Sequence, residues 1–425
     1  MTRLAARVLW SRGLRDRNAA LKYLNPSLDD LLDPLRMRGM AQAVERLRKA
    51  VAARETVLIY GDYDVDGTTS IVILKKAIEL AGGIARFHVP HRLLDGYGMR
   101  TGVVERAAAE GVSLIVSVDT GIRAAEAVAR AAELGVDVIV TDHHLPEEQL
   151  PPALAVLNPN QPGCEYPEKN LCGVGVVFKL VQALLATLGW PADKFDRTLQ
   201  SFLKLVAIGT VADVVPLTGE NRVIVRHGLA GLNVVRNPGL RALLAVAGLA
   251  DGSAPTAGQI AFRVAPRINA AGRMSTATDV IELFTTDNPD RARALAEQLH
   301  TLNTERQQTE QEIVRLILDE CTRSPVTDGD AALVFAGAGW HRGVLGIVAS
   351  RLVERFHRPV FVLSHSPEDG LSQGSGRSIS CFHLLNALES MPDLFVRFGG
   401  HVHAAGLTLP TNRVDEFRHR LAAYA

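Results

Sequence analysis

Between Thr56 and about Pro159 the chain alternates short, near-continuous apolar runs with amphipathic stretches, and few folds accommodate that pattern. The runs cover residues 56–60, 84–89, 114–118, 136–140 and 154–157, rich in Val and Ile. Runs apolar on both faces suit strands buried on both sides, as in a parallel sheet. Between them lie Ala- and Leu-rich segments, 69–81, 101–110 and 122–134, which end at or near Gly and read as crossover helices. The expectation is a doubly wound α/β domain, with helices in the first 45 residues leading into it and another helix over 195–206 packed on it.

Residues 289–323 hold no Gly or Pro after Pro289, and Asn288, Pro289 and Asp290 supply a capping start. One helix of about 50 Å is expected at 1.5 Å per residue. Its middle, 303–311, is polar throughout, which suits a helix crossing solvent between domains. Beyond it, 331–336 and 360–363 read as strands and 345–355 and 382–388 as helices of a smaller α/β domain. The expected organisation is a helical leader (1–45), a main α/β domain (46–287), a bridging helix (288–323) and a second domain (324–425).

Composition narrows the function classes. With 46 basic and 46 acidic residues the net charge is zero, so a grip on nucleic acid must come from a local patch. The longest apolar run, 242–250, falls well short of the roughly 18 residues that span a bilayer, and the N-terminal residues lack a signal-type apolar core. The expected protein is cytoplasmic, without membrane contact. Cys164, Cys172, Cys321 and Cys381 show no paired spacing and read as ordinary reduced thiols.

In an open α/β sheet ligands bind beyond the carboxyl ends of the strands. Here the first strand runs into Gly61-Asp62-Tyr63-Asp64-Val65-Asp66-Gly67, a later one into Asp119-Thr120-Gly121, and another into Thr141-Asp142-His143-His144. Carboxylates gathered on one edge raise one another's pKa unless a cation intervenes. Oxygen donors with one or two imidazoles suit two Mn²⁺ or Mg²⁺ ions. A calcium loop would need a Glu where Lys75 and Lys76 stand. Asp119 alone could be a helix cap, and the two histidines alone a solvated loop pair. Gly173-Val174-Gly175 lacks the third glycine of a dinucleotide fingerprint.

These motifs, with Gly209-Thr210-Val211-Ala212-Asp213-Val214-Val215-Pro216, resemble the four motifs of the DHH phosphoesterase superfamily in order, and most resemble its RecJ family of single-strand-specific 5′→3′ exonucleases. The resemblance extends to Arg267-Ile268-Asn269-Ala270-Ala271-Gly272-Arg273-Met274, to Trp340-His341-Arg342-Gly343, to Ser375-Gly376-Arg377-Ser378 and to Gly399-Gly400-His401-Val402-His403. The last three fall in what resembles a DHH-associated domain. The resemblance implies one metal on Asp66, Asp119, His143 and Asp213, and a second on Asp64 and Asp119, with Asp62 nearby. His144 would face the scissile phosphate and Asp142 would orient an imidazole. The implied reaction is two-metal hydrolysis of phosphodiesters by in-line water attack, releasing 5′-mononucleotides from single-stranded DNA in recombination and repair.

Substrate contacts are expected from Arg263, Arg267, Asn269 and Arg273, clustered among small residues, and in the second domain from His341, Arg377, Ser378, Gly400 and His401. Repair and recombination proteins are candidate partners. With aromatic residues at 5%, phosphate contacts should lead over base stacking. The resemblance also implies a cleft between the domains too narrow for duplex. Family members usually continue into an OB-fold beyond the Gly-Gly-His motif, so the chain is expected to be either a nuclease core or a compact member. The alternatives are a DHH phosphodiesterase for short oligonucleotides or cyclic dinucleotides, and a non-catalytic single-strand-binding scaffold.

Overall fold

The computed structural model describes residues 2–92, 95–96, 98–249, 252–327 and 329–425. It divides into two compact units, the first ending at Thr301 and the second running Leu302–Ala425.

The first unit is built on a parallel sheet of β1 (Thr56–Gly61), β2 (Ile84–His88), β3 (Leu114–Val118), β4 (Asp137–Thr141) and β5 (Ala155–Leu157), in the order β2-β1-β3-β4-β5. Every residue of β3 is buried, Ser117 included, as its near-continuous apolar sequence leads one to expect. Helices Thr101–Ala109 and Ala125–Glu133 cover one face, where Val104, Ala107, Val128 and Ala131 close on Leu58, Ile115 and Val138. Helices Met40–Ala52, Val65–Leu80 and Gly173–Ala186 lie together on the other. The strand order reverses direction between β1 and β3, which in a doubly wound sheet opens a crevice beyond their carboxyl ends.

Three boundaries differ from the sequence expectation for local reasons. The helix expected over 69–81 begins at Val65, because Asp64 caps it by accepting a hydrogen bond from the Gly67 amide at 2.9 Å. Asp64 and Asp66 of the acidic motif are therefore the cap and first turn of a helix, and Asp62 lies in the loop before it. The helix expected from 122 begins at Ala125, after the turn that follows Asp119. The helix over 195–206 extends over Ala192–Ala212, so that Asp213 is its C-cap. The helix Met40–Ala52 crosses the expected leader boundary and buries Met40, Ala43, Leu47 and Ala50. A buried ion pair ties the leader further in: Lys179 Nζ lies 2.9 Å from Glu220 and donates to Leu32 O at 2.6 Å, while the Leu32 amide donates to Glu220 at 2.8 Å.

The long helix is continuous over Pro289–Arg323 and passes from the first unit into the second. Its polar middle is not solvated all round. Asn303 is buried, and Glu310 is fully buried in ion pairs with Arg306, at 2.8 Å, and Arg351. The polar run thus hides a charged stripe that composition alone reads as wet.

The second unit carries a five-stranded sheet of β6 (Leu333–Ala338), β7 (Val360–His365), β8 (Leu371–Arg377), β9 (Arg397–Gly400) and β10 (Ala404–Pro410), ordered β6-β7-β8-β10-β9. Only β6 and β7 pair in parallel. The strand expected over 331–336 is shifted to Leu333–Ala338, and the helix expected over 382–388 is Leu384–Glu389. Phe361, Leu407, Leu409 and the helix residues Leu388 and Phe417 form its core.

A candidate two-metal centre

The crevice is furnished by the loops after β1, β3 and β4. Gly67 lets the first of these fold tightly: a Cβ there would lie 2.5 Å from Asp62 O. After β3 the chain turns sharply at Asp119, whose φ is +58°, a left-handed conformation that Asp tolerates better than most residues. Its amide donates to Thr141 O at 2.9 Å, fixing the β3 exit against β4.

The acidic residues and His143 converge. His143 Nε2 lies 3.2 Å from Asp119 Oδ1 and 3.9 Å from Asp66 Oδ2, and its Nδ1 lies 3.8 Å from Asp213 Oδ2. Ligand atoms of Asp62, Asp64 and Asp119 lie within 4.8 Å of one another, as do those of Asp119, His143 and His144. Asp119 belongs to both groups. Asp62, Asp66, Asp119 and Asp142 are buried.

Such crowding is electrostatically unfavourable without a cation. Burial and Asp64 push the Asp62 carboxyl up to about 8 and Asp66 up to about 7. Burial, Asp66 and Asp64 push Asp213 up to about 8 and raise Asp119 well above the ordinary carboxylate range. Burial and the adjacent His144 lower His143 to about 4, which leaves its imidazole neutral and its lone pair free for a metal. Asp62 Oδ1, Asp119 Oδ1 and Asp213 Oδ2 accept no hydrogen bond although buried. Buried acceptors left without donors, aimed into a shared space, fit divalent cations.

Asp142 is used differently. Its Oδ1 accepts from the His143 amide at 2.8 Å, the His144 amide at 3.1 Å and His144 Nδ1 at 2.7 Å, and its Oδ2 from the Ile122 amide at 3.0 Å. Burial alone would raise this carboxyl, but His144 and these amides outweigh it and lower its pKa. Burial likewise opposes charge on His144, yet the Asp142 hydrogen bond and neighbouring carboxylates push the imidazole up to about 9. His144 is thus a cation held at the rim by an anion.

Two contributors escape a motif search. The start of helix Gly173–Ala186 points at the centre, with the Gly173 and Val174 amides donating to Asp66 Oδ2 at 2.6 Å and Oδ1 at 2.7 Å. A Cβ on Gly173 would lie 2.6 Å from Asp119 Cβ. Gly173→Ala should therefore displace Asp119 and lower turnover by roughly 100-fold, the scale of a misplacement of about 1 Å. Gly175→Ala meets the Leu171 side chain at 3.3 Å and Cys172 Sγ at 3.7 Å, contacts that need little or no adjustment, and should retain most activity. Steady-state kinetics of both variants check this, and equal losses would contradict it. The other contributor is Arg92, beyond the end of β2, stacked 4.1 Å over the Tyr63 ring with its charge opposing the rise at Asp62. The residues beyond the end of β2, inspected in the same way as those beyond β1 and β3, are the signal that would have found it.

Cys172 lies beside Asp66 and Asp213 and its thiol donates to Thr210 Oγ1 at 3.4 Å. Burial and the carboxylates raise its pKa well above the ordinary value, so it remains a thiol in the wall of the site.

The expected substrate-contact residues are distributed more widely. Asn269 Oδ1 accepts from the Val65 amide at 3.2 Å, directly beside Asp64, and Gly272 packs on the Tyr63 backbone. Arg273 acts on Tyr63 electrostatically. Arg263 donates to Gly248 O at 2.8 Å and Arg267 to His300 Nδ1 at 3.2 Å, so neither guanidinium is spent on the acidic centre. In the second unit, strand pairing sets Arg377 opposite Ala404, and Gly400 opposite Ala405. The Ser378 amide donates to His403 O and the His401 amide to Ala404 O, gathering Arg377, Ser378, Gly400 and His401 at one end of the sheet. The Arg377 guanidinium lies where a Cβ on Gly346 would be, 2.7 Å from Nη2. His341 Nδ1 accepts from the Gly343 amide at 3.2 Å, just before helix Leu345–Phe356.

The model of the DHH family, N-terminal domain, matches residues 56–210, and that of the DHHA1 domain matches residues 329–425. The single-stranded-DNA-specific exonuclease RecJ of Dickeya dadantii is 43% identical over 99% of this chain and 74% of its own length. The chain belongs to the RecJ family. The Bacillus subtilis RecJ is 40% identical over 99% of the chain, which spans about half (52%) of that relative. The crystal structure of exonuclease RecJ bound to manganese superposes with a TM-score of 0.82 at 36% identity, covering 93% of this chain and 96% of that one. The parallel-sheet fold with its second domain is therefore a RecJ fold. No helix among the described residues is long and apolar enough to cross a membrane.

Proposed function

We propose that the chain is a metal-dependent exonuclease that hydrolyses single-stranded DNA from the 5′ end to 5′-mononucleotides, in recombination and repair. The observation that carries this reading is the set of buried carboxylate oxygens around Asp119 that lack any hydrogen-bond donor. Asp66, Asp119, His143 and Asp213 would hold one Mn²⁺ or Mg²⁺ ion, and Asp64 and Asp119, with Asp62 beside them, a second. Hard oxygen donors with one neutral imidazole suit either ion. When bound, the two ions supply charge neutralisation at the attacking and leaving oxygens of an in-line displacement.

The chain's own groups do the rest. The Gly173 and Val174 amides hold Asp66 in one orientation, and the Asp119 turn aims its carboxylate at His143. His144, fixed by Asp142, presents a positive imidazole to the phosphate and can donate a proton from Nε2. Asn269 braces the first turn after Asp64. In the second unit Arg377, Gly400 and His401 offer guanidinium, amide and imidazole to the strand's phosphates and His341 a further imidazole, while the Ser378 hydroxyl, which donates to Phe382 O at 2.8 Å, braces the turn beside Arg377.

The test is incubation with Mn²⁺ and 5′- or 3′-labelled single strands of about 40 nucleotides, beside a dinucleotide and a cyclic dinucleotide. Stepwise release of mononucleotides from the 5′ end is expected. Turnover of the dinucleotides alone would replace this reading by a small-substrate phosphodiesterase, and binding without turnover by a scaffold.

A further inference from the structure

One large aromatic side chain of the first unit stands almost fully in solvent. Phe262 is 83% exposed, while Ile260 and Val264 on either side are fully buried. The backbone explains the contrast. Residues Ile260–Val264 form a π-helical turn between Ala257–Gln259 and Ala265–Met274, and its i→i+5 winding sets Ile260 and Val264 on one inward line with Phe262 opposite. The helix thus turns its bulkiest apolar side chain away from the core.

The chain segment around Phe262 carries one sign of charge. From Gly252 to Thr278 there is no Asp or Glu, whereas Arg263, Arg267 and Arg273 all fall in this stretch, in a chain whose overall net charge is zero. An exposed aromatic ring on a segment that also carries three guanidinium groups matches a nucleic acid strand, whose bases stack and whose phosphates are anionic. The same run is anchored at the catalytic crevice, since Asn269 accepts from the Val65 amide and Gly272 packs on Tyr63. Phe262 precedes Asn269 by seven residues, about 10 Å at 1.5 Å per residue. At ~3.4 Å per stacked step that is no more than three nucleotides.

We propose that Phe262 is a base-stacking platform that holds one unpaired base of the strand within three nucleotides of the scissile phosphate. The inference rests on the exonuclease reading for its substrate. It adds one base contact to a grip that composition expects phosphate contacts to lead, and it gives a physical reason for preferring single strands: a base paired in a duplex does not offer its face to a side chain.

The test is a binding cycle on the full chain, read by fluorescence anisotropy of a labelled dT12 with EDTA present, so that no turnover is needed. Abasic residues are placed at successive positions of the strand. Phe262→Ala should weaken binding of the intact strand on the order of tenfold, and Phe262→Trp should retain it. At one position the abasic strand should bind the wild type as weakly as Phe262→Ala binds the intact strand, with no further loss when both changes are combined. Wild-type affinity in Phe262→Ala, or full additivity at every position, would overturn the proposal. Because hydrolysis is not read, a failure of the exonuclease assay and a failure of this cycle are separate results.

Discussion

Asp119→Ala should abolish hydrolysis of single-stranded DNA, with a loss of roughly 10⁴-fold or more, the scale on which removal of a central catalytic group acts. Asp119 is the one carboxylate common to both ligand groups, and its Oδ1 lies 3.2 Å from His143 Nε2 without a hydrogen bond to satisfy it. The fold should survive. The substitution places Ala at φ +58°, costing roughly 1–2 kcal/mol, but removes a buried acid that its neighbours already repel. Asp119→Asn keeps the left-handed turn and removes only the charge, so it should be equally inactive and at least as stable as the wild type without metal. Activity assays with thermal melts of both variants check this. Hydrolysis within tenfold of wild type would contradict the role given to Asp119.

The second large effect concerns metal and pH together. Asp62, Asp66 and Asp213, at about 8, 7 and 8, retain protons in the metal-free fold that an unfolded chain has lost above about pH 4. Their contribution to stability is fully present below the unfolded value and disappears as pH rises through 7 to 8. His144, raised to about 9, acts with the same sign above its unfolded value of about 6.5. His143, lowered to about 4, acts with the opposite sign but only below about 6.5. Between pH 6.5 and 8.5 the shifts therefore reinforce one another. Even one excess proton in the fold is about 1.4 kcal/mol per pH unit, so the EDTA-treated protein should lose roughly 5 °C or more in Tm over that window. Saturating Mn²⁺ should raise Tm by on the order of 10 °C at pH 8.5, and by less at pH 6.5 where protons compete. Calorimetry with and without Mn²⁺ at the two pH values checks this; a metal-free Tm that rises with pH would contradict the crowding of these carboxylates.

Much of the first unit is legible in its residues because its central strands are buried on both faces, so Leu114–Val118 needs no tertiary context to be recognised, whereas the edge strand Ile84–His88 has no buried residue. The acids after β1, β3 and β4 are legible for the same reason, since a parallel sheet sends its strand ends to one edge. Asp213 is not: it lies at the end of a helix, and only its motif links it to the others. Gly173 reads in sequence as half of a weak fingerprint, because its purpose is the space it leaves for Asp119, a residue far away along the chain. In the second unit β8 carries Gly374 and Gly376 packed on Leu363 and Phe361, which erases the alternation that marks a strand. Glu310 reads as solvated because its partner Arg351 comes from another helix.

The central claim is a pair of divalent ions sharing Asp119, and electron paramagnetic resonance of the Mn²⁺-loaded chain tests it directly. Two Mn²⁺ per chain with an exchange-coupled spectrum, lost in Asp119→Asn, is the predicted result. A single ion, or two giving only the uncoupled six-line signal of isolated Mn²⁺, would contradict it.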